Sequence, residues 1–136
     1  MIQSNPIETV TKLYYYLDER RYEDILHLFV ADGQWRRKEK WRSGRADILA
    51  SLNERPSTQI IRHVITNAHI EKQDERSATV IAYMLSYTFD DGKLHQGVTS
   101  ISGPANLFTM VTELVLTDGQ WQVTSLDPTV AFKFER

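Results

Sequence analysis

The second half of the chain is a succession of strand-like segments, and this feature limits the possible folds more than any other. Residues favoured in β-strands (Ile, Val, Thr, Tyr and Phe) concentrate in four segments, at about 58–73, 77–89, 106–117 and 120–132. Turn-forming residues separate the segments at 74–76 and 90–92, and Asp118-Gly119 is a two-residue hairpin signal. Residues 93–105 are rich in Gly and Ser and are predicted to form a long mobile loop. Tight turns join antiparallel neighbours, so the sequence predicts one largely antiparallel sheet.

Helix signals precede these strands. Asn5 can cap a first helix, and Pro6 suits its first position. Apolar residues then recur along one helical face: Ile7, Val10, Tyr14 and Leu17. A second short helix is predicted at about 22–29, and a third opens at Ser43-Gly44 and ends before Pro56.

A basic segment lies between the second and third helices. Asp32-Gly33 indicates a turn, and residues 34–37 indicate a short strand. Glu39 and two tryptophans interrupt the basic run that follows, which is therefore predicted to be a solvated strand and turn rather than a phosphate-binding surface. Helices followed by antiparallel strands predict an α+β fold with helices on one sheet face.

Composition excludes several classes of protein. The 136 residues have room for one domain, predicted to span 1–136, and the net charge of −2 argues against a nucleic-acid partner. The chain has no cysteine, which excludes disulfides and thiolate metal sites. The N-terminal residues lack a signal-peptide pattern, and no apolar run approaches the roughly 20 residues of a membrane span. The sequence therefore predicts a cytoplasmic protein with no membrane partner.

Both faces of the segment 77–89 are largely apolar. One face carries Ala78, Val80, Ala82 and Met84, and the other carries Ile81, Tyr83, Leu85, Tyr87 and Phe89. In a strand that has one face in water, apolar and polar residues alternate more regularly. We therefore expect a homodimer in which a second copy covers the outer sheet face.

His63 and Asp18 occupy positions that are unfavourable for a polar side chain without a partner. By strand alternation His63 shares a face with isoleucines, and it is either a core histidine with one hydrogen bond or a reactive group. Asp18 ends the first helix, where the dipole disfavours its charge, and it is either solvated, paired with Arg21, or bonded to a histidine. A carboxylate that orients His63 would resolve both positions and leave one ring nitrogen free as a base.

The order of the motifs resembles a known family. The chain contains Tyr-Tyr-Tyr-Leu-Asp at 14–18, Asp-Gly-Gln-Trp at 32–35, Arg-His-Val-Ile-Thr-Asn at 62–67 and Asp-Gly-Gln-Trp at 118–121. Together with Ser43-Gly44-Arg45, this order is similar to the SnoaL-like group of the nuclear transport factor 2-like superfamily. The resemblance implies a cone-shaped α+β fold, a cystatin-like roll, in which a curved sheet and three N-terminal helices enclose a pocket.

Two superfamily members, scytalone dehydratase and lindane dehydrochlorinase, are similar in placing a catalytic Asp and His at the positions of Asp18 and His63. The supporting groups differ: the dehydrochlorinase's lysine and arginine fall at about Leu13 and in 114–116, and the dehydratase's tyrosine falls at Leu17. The predicted catalytic residues are thus Asp18 and His63. The predicted substrate-binding residues are Tyr14, Trp35, Asn67 and Tyr83.

The resulting functional hypothesis is a cofactor-independent lyase or isomerase in which His63 acts as general base on a small hydrophobic cyclic molecule. A non-catalytic ligand-binding or accessory protein of the same fold, and an adaptor for transport, are the alternatives. No cofactor motif is present. His63 and His69 share the predicted strand face but lie about 20 Å apart, so no metal site is predicted.

Overall fold

Three helices and six strands follow one another in the computed structural model, which describes residues 5–135. The helices are α1 (Pro6–Asp18), α2 (Tyr22–His27) and α3 (Arg45–Asn53). The strands are β1 (Phe29–Arg37), β2 (Lys40–Ser43), β3 (Ile60–Gln73), β4 (Ser77–Phe89), β5 (Asn106–Thr117) and β6 (Gln120–Lys133). Residues 1–4, which hold most of the segment examined for a signal peptide, lie outside the described residues.

The strands form one six-stranded sheet in the order β2-β1-β6-β5-β4-β3. β1 pairs parallel with β6, and the other neighbours pair antiparallel, so the sheet is mixed. The predicted hairpin between β5 and β6 is present. Its Asp118 and Gly119 have φ values of 49° and 78°, the positive angles that a tight two-residue turn demands. The α+β prediction is confirmed.

The core lies between α1 and the inner face of the sheet. Asn5 caps α1 by accepting a hydrogen bond of 2.8 Å from the backbone N–H of Ile7. The buried face of α1 consists of Pro6, Thr9, Val10, Leu13, Tyr14 and Leu17. It packs with the buried side chains of β4, β5 and β6, among them Val80, Met110 and Leu126. Each fully buried aliphatic side chain of this kind contributes roughly 1.5–3 kcal/mol, so α1 is fixed firmly to the sheet.

The observed bounds of β1 and α2 differ from the predicted ones. β1 begins at Phe29 rather than at residue 34, and α2 accordingly ends at His27. Gly33 lies within this strand and not in a turn, at a point where the register with β6 shifts. A Cβ atom at Gly33 would lie 2.8 Å from Phe29 Cδ1 and 3.1 Å from the Val123 carbonyl oxygen. The absence of a side chain at Gly33 therefore allows β1 and β6 to approach each other closely at this residue.

A bulge in β3 changes which residues face the core. Thr66 pairs with Tyr83 and His69 pairs with Ile81, so two residues of β3 oppose the single residue Ala82. Asn67 is the inserted residue, and its φ of 55° is in the left-handed region. Beyond the bulge the alternation is displaced by one, and His69 does not share the face of His63. The predicted common face of these two histidines is wrong for this reason.

Residues 90–105 form neither helix nor strand, as predicted for 93–105, and most of them are exposed. Two hydrogen bonds tie the start of this segment down: Thr58 Oγ1 donates to Asp90, and His95 Nε2 lies 2.8 Å from Asp91 Oδ2. Within residues 5–135, none of the helices has the length and apolar character needed to traverse a bilayer.

Candidate active site

Asp18 and His63 make a two-point contact at the end of α1. Asp18 Oδ1 lies 2.6 Å from His63 Nδ1. The backbone N–H of His63 donates to Asp18 Oδ2 at 2.8 Å. Both carboxylate oxygens are therefore held by one residue, and this fixes the rotation of the carboxylate as well as its position. The contact also fixes the edge of the imidazole that faces α1.

Both side chains of the Asp18–His63 pair are buried, with exposed fractions of 8% and 9%. Asp18 is the last residue of α1, where the negative end of the helix dipole opposes a carboxylate. The two hydrogen bonds from His63 offset this cost. Arg21 does not contribute, because its guanidinium pairs with Asp24 at 2.7 Å. The alternatives of a solvated Asp18 and of an Asp18–Arg21 pair are therefore excluded by the structure.

A cavity of about 280 Å³ lies behind His63, between α1, the end of α3 and the inner sheet face. Its apolar wall includes Leu17, Trp35, Ile61, Met84, Phe108 and Pro128. Its uncharged polar groups come from Tyr14, Ser51, Gln59, Ser86, Thr88 and Asn106. A mostly apolar wall with a few polar groups is typical of a small-molecule site, and the volume suits a ligand of about one ring system.

A second opening of about 360 Å³ lies on the other side of His63, between α1 and β3. Its lining includes Thr11, Tyr15, Asp18, Glu19, Arg62 and His63. His63 borders both spaces, whereas Asp18 borders this outer groove and not the inner cavity. Tyr14 also borders both spaces, so His63 and Tyr14 together lie between them, with the carboxylate partner of His63 on the outer side.

Tyr14 lies beside the pair and is 2% exposed. Its ring centroid is 5.0 Å from that of His63 and 6.1 Å from that of Trp35. Burial raises the pKa of the Tyr14 hydroxyl above its ordinary range, and the nearby Arg37 cation and Trp35 indole oppose this only in part. The hydroxyl is therefore protonated at neutral pH. The Trp35 indole can act on the hydroxyl oxygen only as a donor, and the O–H itself has no acceptor among the described residues, so it is available as a donor.

Trp35 and Arg37, both on β1, form the wall opposite α1. Trp35 is 1% exposed and stacks on Phe29 with a centroid distance of 5.7 Å. The Arg37 guanidinium carbon lies 4.6 Å from the centroid of the Trp35 ring, within the range of a cation–π contact. Arg37 Nε donates to Ser51 Oγ of α3 at 2.7 Å. These contacts hold the Arg37 side chain along the cavity wall.

The structure brings four of the six predicted site residues together: Asp18, His63, Tyr14 and Trp35. Asn67 and Tyr83 lie elsewhere, and neither lines the cavity. Asn67 is the exposed bulge residue and accepts a hydrogen bond from Thr66 Oγ1. Tyr83 is 45% exposed because the alternation of β4 turns it to the outer sheet face. The substrate-binding role of these two residues, like the catalytic role of Asp18 and His63, remains a prediction.

Several residues that line the cavity are not among the site residues predicted from the sequence. Ser86 is the cross-strand partner of His63, and Asn106 is the partner of Ser86, so the three form a row across the sheet. Only the strand register reveals this row. Arg37 and Arg55 also line the cavity. Among residues 5–135, no three side chains of His, Cys, Asp or Glu gather in a way that could hold a metal ion.

Comparisons with known proteins identify the family. A family model described as the SnoaL-like domain matches residues 7–127. A search of curated proteins gave no match. The solved structures described below are less than 25% identical to the chain, and they therefore bear on the fold alone.

Three of these structures illustrate the likeness. A Novosphingobium aromaticivorans protein named "Putative Scytalone Dehydratase" has a TM-score of 0.77 at 18% identity, over 95% of this chain and 83% of that chain. ActVI-ORFA from Streptomyces coelicolor has a TM-score of 0.73 at 20% identity, over 92% and 93%. A Catenulispora acidiphila protein in complex with S-DNPA has a TM-score of 0.73 at 22% identity, over 90% and 88%.

A further solved structure, from Novosphingobium aromaticivorans, is described as nuclear transport factor 2-like with a cystatin-like fold, and it covers 91% of this chain at a TM-score of 0.72 and 15% identity. The predicted cystatin-like α+β fold is thereby confirmed. With the family model matching most of its length, the chain belongs to the SnoaL-like domain family, within the nuclear transport factor 2-like fold.

Proposed function

We propose that the protein is a cofactor-independent enzyme of the lyase or isomerase type, in which His63 removes a proton from a small cyclic molecule held in the inner cavity. The observation that carries this proposal is the two-point contact between Asp18 and His63 beside a largely apolar cavity. A carboxylate bonded to one ring nitrogen of a histidine is the usual arrangement for a general base.

The contact with Asp18 determines which nitrogen of His63 acts. A carboxylate accepts hydrogen bonds and does not donate them, so the neutral imidazole carries its proton on Nδ1 and leaves Nε2 unprotonated. The two nitrogens lie on opposite edges of the ring. Because Asp18 lines the outer groove and not the inner cavity, whereas His63 lines both, we infer that Nε2 faces the inner cavity.

The proposed step is the transfer of a substrate proton to Nε2. The imidazolium that forms is stabilised by the Asp18 carboxylate, and the electron pair of the broken C–H bond remains on the substrate. An adjacent leaving group then departs in a lyase, or Nε2–H returns the proton to another carbon in an isomerase. The protonated Tyr14 hydroxyl, which has no partner among the described residues, is suited to donate a hydrogen bond to a substrate oxygen.

Relatives support a small molecule as the ligand. The Catenulispora acidiphila protein of the same fold is solved in complex with S-DNPA. A cyclic, largely apolar ligand fits the wall provided by Trp35, Met84 and Phe108 in the present chain. The cavity volume of about 280 Å³ favours one or two rings over a longer molecule.

Proton abstraction can be measured without knowing the natural substrate. Cyclic ketones such as cyclohexanone and 2-tetralone are incubated with the protein in D₂O, and deuterium incorporation beside the carbonyl is followed by proton NMR. We expect the wild-type protein to accelerate exchange over buffer and His63→Ala to lose this acceleration. His69→Ala is the matched control, since His69 is exposed on the same strand and pairs with Glu71. Full exchange activity in a folded His63→Ala variant would refute the proposal.

A non-catalytic ligand-binding protein is the second candidate, and one observation favours it. The positions where the dehydrochlorinase-like relatives carry a lysine and an arginine hold Leu13 and the run 114–116 here. Leu13 and Leu114 are 0% and 1% exposed and belong to the core, whereas Leu116 is 37% exposed; none of these apolar side chains can stabilise a leaving group by charge. In this case the wild-type protein would bind ring compounds in the cavity but exchange none of their protons.

We also propose that a second copy of the chain covers the outer sheet face. The face exposes Val64, Tyr83 and Val111, which lie on three adjacent strands and are 46%, 45% and 41% exposed. Exposed apolar side chains gathered on one face are typical of an interface. Light scattering coupled to size exclusion is expected to show a dimer, and Tyr83→Glu is expected to weaken it. A monomer at micromolar concentration would contradict the proposal.

A further inference from the structure

The inner cavity is lined by cationic side chains, and no acidic side chain of the described residues lines it. Four cationic residues line this space: Arg36, Arg37, Lys38 and Arg55. Among the described residues, no aspartate or glutamate takes part in its lining. Arg36 is neutralised by Asp127 at the rim, where the two side chains are 2.5 Å apart, and Lys38 is exposed to solvent. Two guanidinium groups, those of Arg37 and Arg55, therefore account for the unbalanced charge inside.

Neither of these two guanidinium groups forms an ion pair with a carboxylate within the described part of the chain. Arg37 makes one hydrogen bond to residues 5–135, from Nε to Ser51 Oγ at 2.7 Å, and none from its terminal nitrogens. Arg55 donates from its terminal nitrogens to the carbonyl oxygens of Leu17 and Gln59, at 2.7 and 3.2 Å. Its Nε is buried without a partner in the same part of the chain. Both groups thus keep unused donor capacity.

The pKa values of both guanidinium groups are lowered, which indicates that their charge is disfavoured in the protein without a ligand. Burial lowers the pKa of Arg37, and the neighbouring cations Arg42 and Arg55 lower it further. Burial and the neighbouring Arg20 likewise lower the pKa of Arg55, and Tyr22 and the Asp18 carboxylate oppose this only in part. Tyr14 does not supply an anion, because burial raises its pKa and keeps it neutral. Two cations that repel each other and that form no ion pair with a carboxylate of residues 5–135 are unfavourable in a cavity wall unless a ligand supplies negative charge.

We propose that Arg37 and Arg55 form an anion subsite, so that the ligand of the cavity is a ring compound bearing a carboxylate. A planar guanidinium with free terminal N–H groups matches the two oxygens of a carboxylate. The apolar wall of Trp35, Met84 and Phe108 then accommodates the ring. The subsite is distinct from the Asp18–His63 pair, and it specifies the substrate class of the function proposed above, on which it rests.

The subsite and the proposed base lie on one continuous wall. His63 contacts Tyr14, Tyr14 contacts Trp35, and Trp35 carries the Arg37 guanidinium, with successive separations of 5.0, 6.1 and 4.6 Å. A carboxylate held at Arg37 therefore leaves the ring of the same molecule in the cavity that His63 also lines. The anion subsite orients the substrate and takes no part in the proton transfer.

The test compares ring carboxylates with their uncharged amides. Benzoate, cyclohexanecarboxylate and 2-naphthoate are titrated against the protein by calorimetry, each beside its primary amide. We expect the wild-type protein to prefer at least one carboxylate over its amide by about tenfold or more. Arg37→Met is expected to remove this preference, and Arg37→Lys to retain part of it, because lysine keeps the charge but loses the planar fork. Arg76→Met is the matched control, since Arg76 is an exposed turn residue whose loss changes the net charge equally.

Each result is decisive for the subsite. A wild-type protein that binds no carboxylate better than its amide would overturn it, as would an unchanged preference in Arg37→Met. Equal weakening in Arg76→Met would also overturn it, by showing that net charge alone acts. The outcome is separable from the proposed base: His63→Gln is expected to retain carboxylate binding while it loses proton exchange. If His63→Gln retains exchange, the proposed base fails and the anion subsite stands.

Discussion

Replacing Asp18 with asparagine changes one oxygen of the Asp18–His63 pair to an NH₂ group while it preserves the shape of the side chain. The backbone N–H of His63 is a donor under all conditions, so the amide oxygen of the introduced asparagine must face it in place of Oδ2. The NH₂ group then faces His63 Nδ1, which can accept its hydrogen bond only when it is unprotonated. The proton of the neutral ring is therefore expected to move to Nε2.

Two magnitudes follow from this geometry. Charge-assisted hydrogen bonds contribute roughly 1.5–3 kcal/mol and neutral ones roughly 0.5–1.5 kcal/mol, so two weakened bonds cost about 2 kcal/mol. Removing the charge from the C-terminal end of α1 returns roughly 0.3–1 kcal/mol. The net loss of about 1–1.5 kcal/mol lowers the melting temperature by roughly 3–8 °C in a domain of this size. Proton exchange is expected to fall much further, because an analogous change in a serine protease costs about 10⁴ in kcat through the wrong tautomer.

The tautomer can be observed directly, with no substrate. Histidine ring ¹⁵N chemical shifts, recorded at a pH where the rings are neutral, distinguish Nδ1–H from Nε2–H. We expect Nδ1–H for His63 in the wild-type protein and Nε2–H in Asp18→Asn. Asp24→Asn is the control, since Asp24 also accepts a side-chain hydrogen bond, from Arg21, but does not contact His63. An unchanged His63 tautomer in Asp18→Asn, or Nε2–H in the wild-type protein, would refute the reasoning.

Three further predictions address other parts of the molecule. Tyr14→Phe removes a buried hydroxyl that has no partner among the described residues, so calorimetry is expected to show unchanged or higher stability, by up to about 1 kcal/mol, while the exchange rate falls about 10- to 100-fold. Asp74 accepts two backbone N–H bonds in the β3–β4 turn, which lower its pKa below the ordinary 3.8; its stabilisation is therefore present above pH 4 and is lost as the pH falls through the folded pKa. Melting curves of Asp74→Ala and wild type are accordingly expected to differ at pH 7 and to converge in acid. Gly33→Ala brings a Cβ to 2.8 Å from Phe29 Cδ1 and is expected to lower the unfolding free energy in urea titrations by about 1–3 kcal/mol.

The elements that the sequence predicted well are those whose signals are local. α1 is specified by its cap at Asn5 and by its apolar stripe, and the β5–β6 hairpin is specified by Asp118-Gly119. The first strand was only partly predictable. Val30 and Ala31 extend β1 back to Phe29 because β6 pairs with this strand from the far end of the chain, and no local pattern contains that information.

The bulge in β3 marks the limit of reasoning from alternation. A strand period of two places Asn67 on the face of His63, and a single inserted residue reverses this placement. Asn67 itself is a residue type that tolerates the left-handed conformation better than most, and this was the available signal. Tyr83 illustrates the complementary case, in which both faces of a strand are apolar and alternation cannot tell inner from outer.

The Asp18–His63 contact was predictable because each residue is unfavourable where it stands and acceptable when the two meet. The cations of the cavity carry no such signal in the sequence. Arg37 belongs to a basic run that is typical of a solvated segment, and Arg55 directly precedes a proline in a loop. Only the folded chain shows that both enter a space without carboxylates among its described lining residues. A charged residue indicates a binding site only when the groups around it are known. Those groups are set by the tertiary structure and cannot be read from the sequence.

Arg37→Met distinguishes a structural from a ligand-binding role for this cation. If Arg37 served the fold, its removal would cost the Ser51 hydrogen bond, roughly 0.5–1.5 kcal/mol, and the contact with the Trp35 ring, roughly 0.5–2 kcal/mol. If the guanidinium is instead an uncompensated charge held for a ligand, relief of its burial and of its repulsion with Arg55 offsets these losses. We expect the ligand-free variant to melt no lower than the wild-type protein, and a ring carboxylate to raise the melting temperature of the wild-type protein alone. A fall in stability of more than about 2 kcal/mol in the ligand-free variant would assign Arg37 to the fold, because a residue kept for a ligand lowers the stability of the empty protein rather than supporting it.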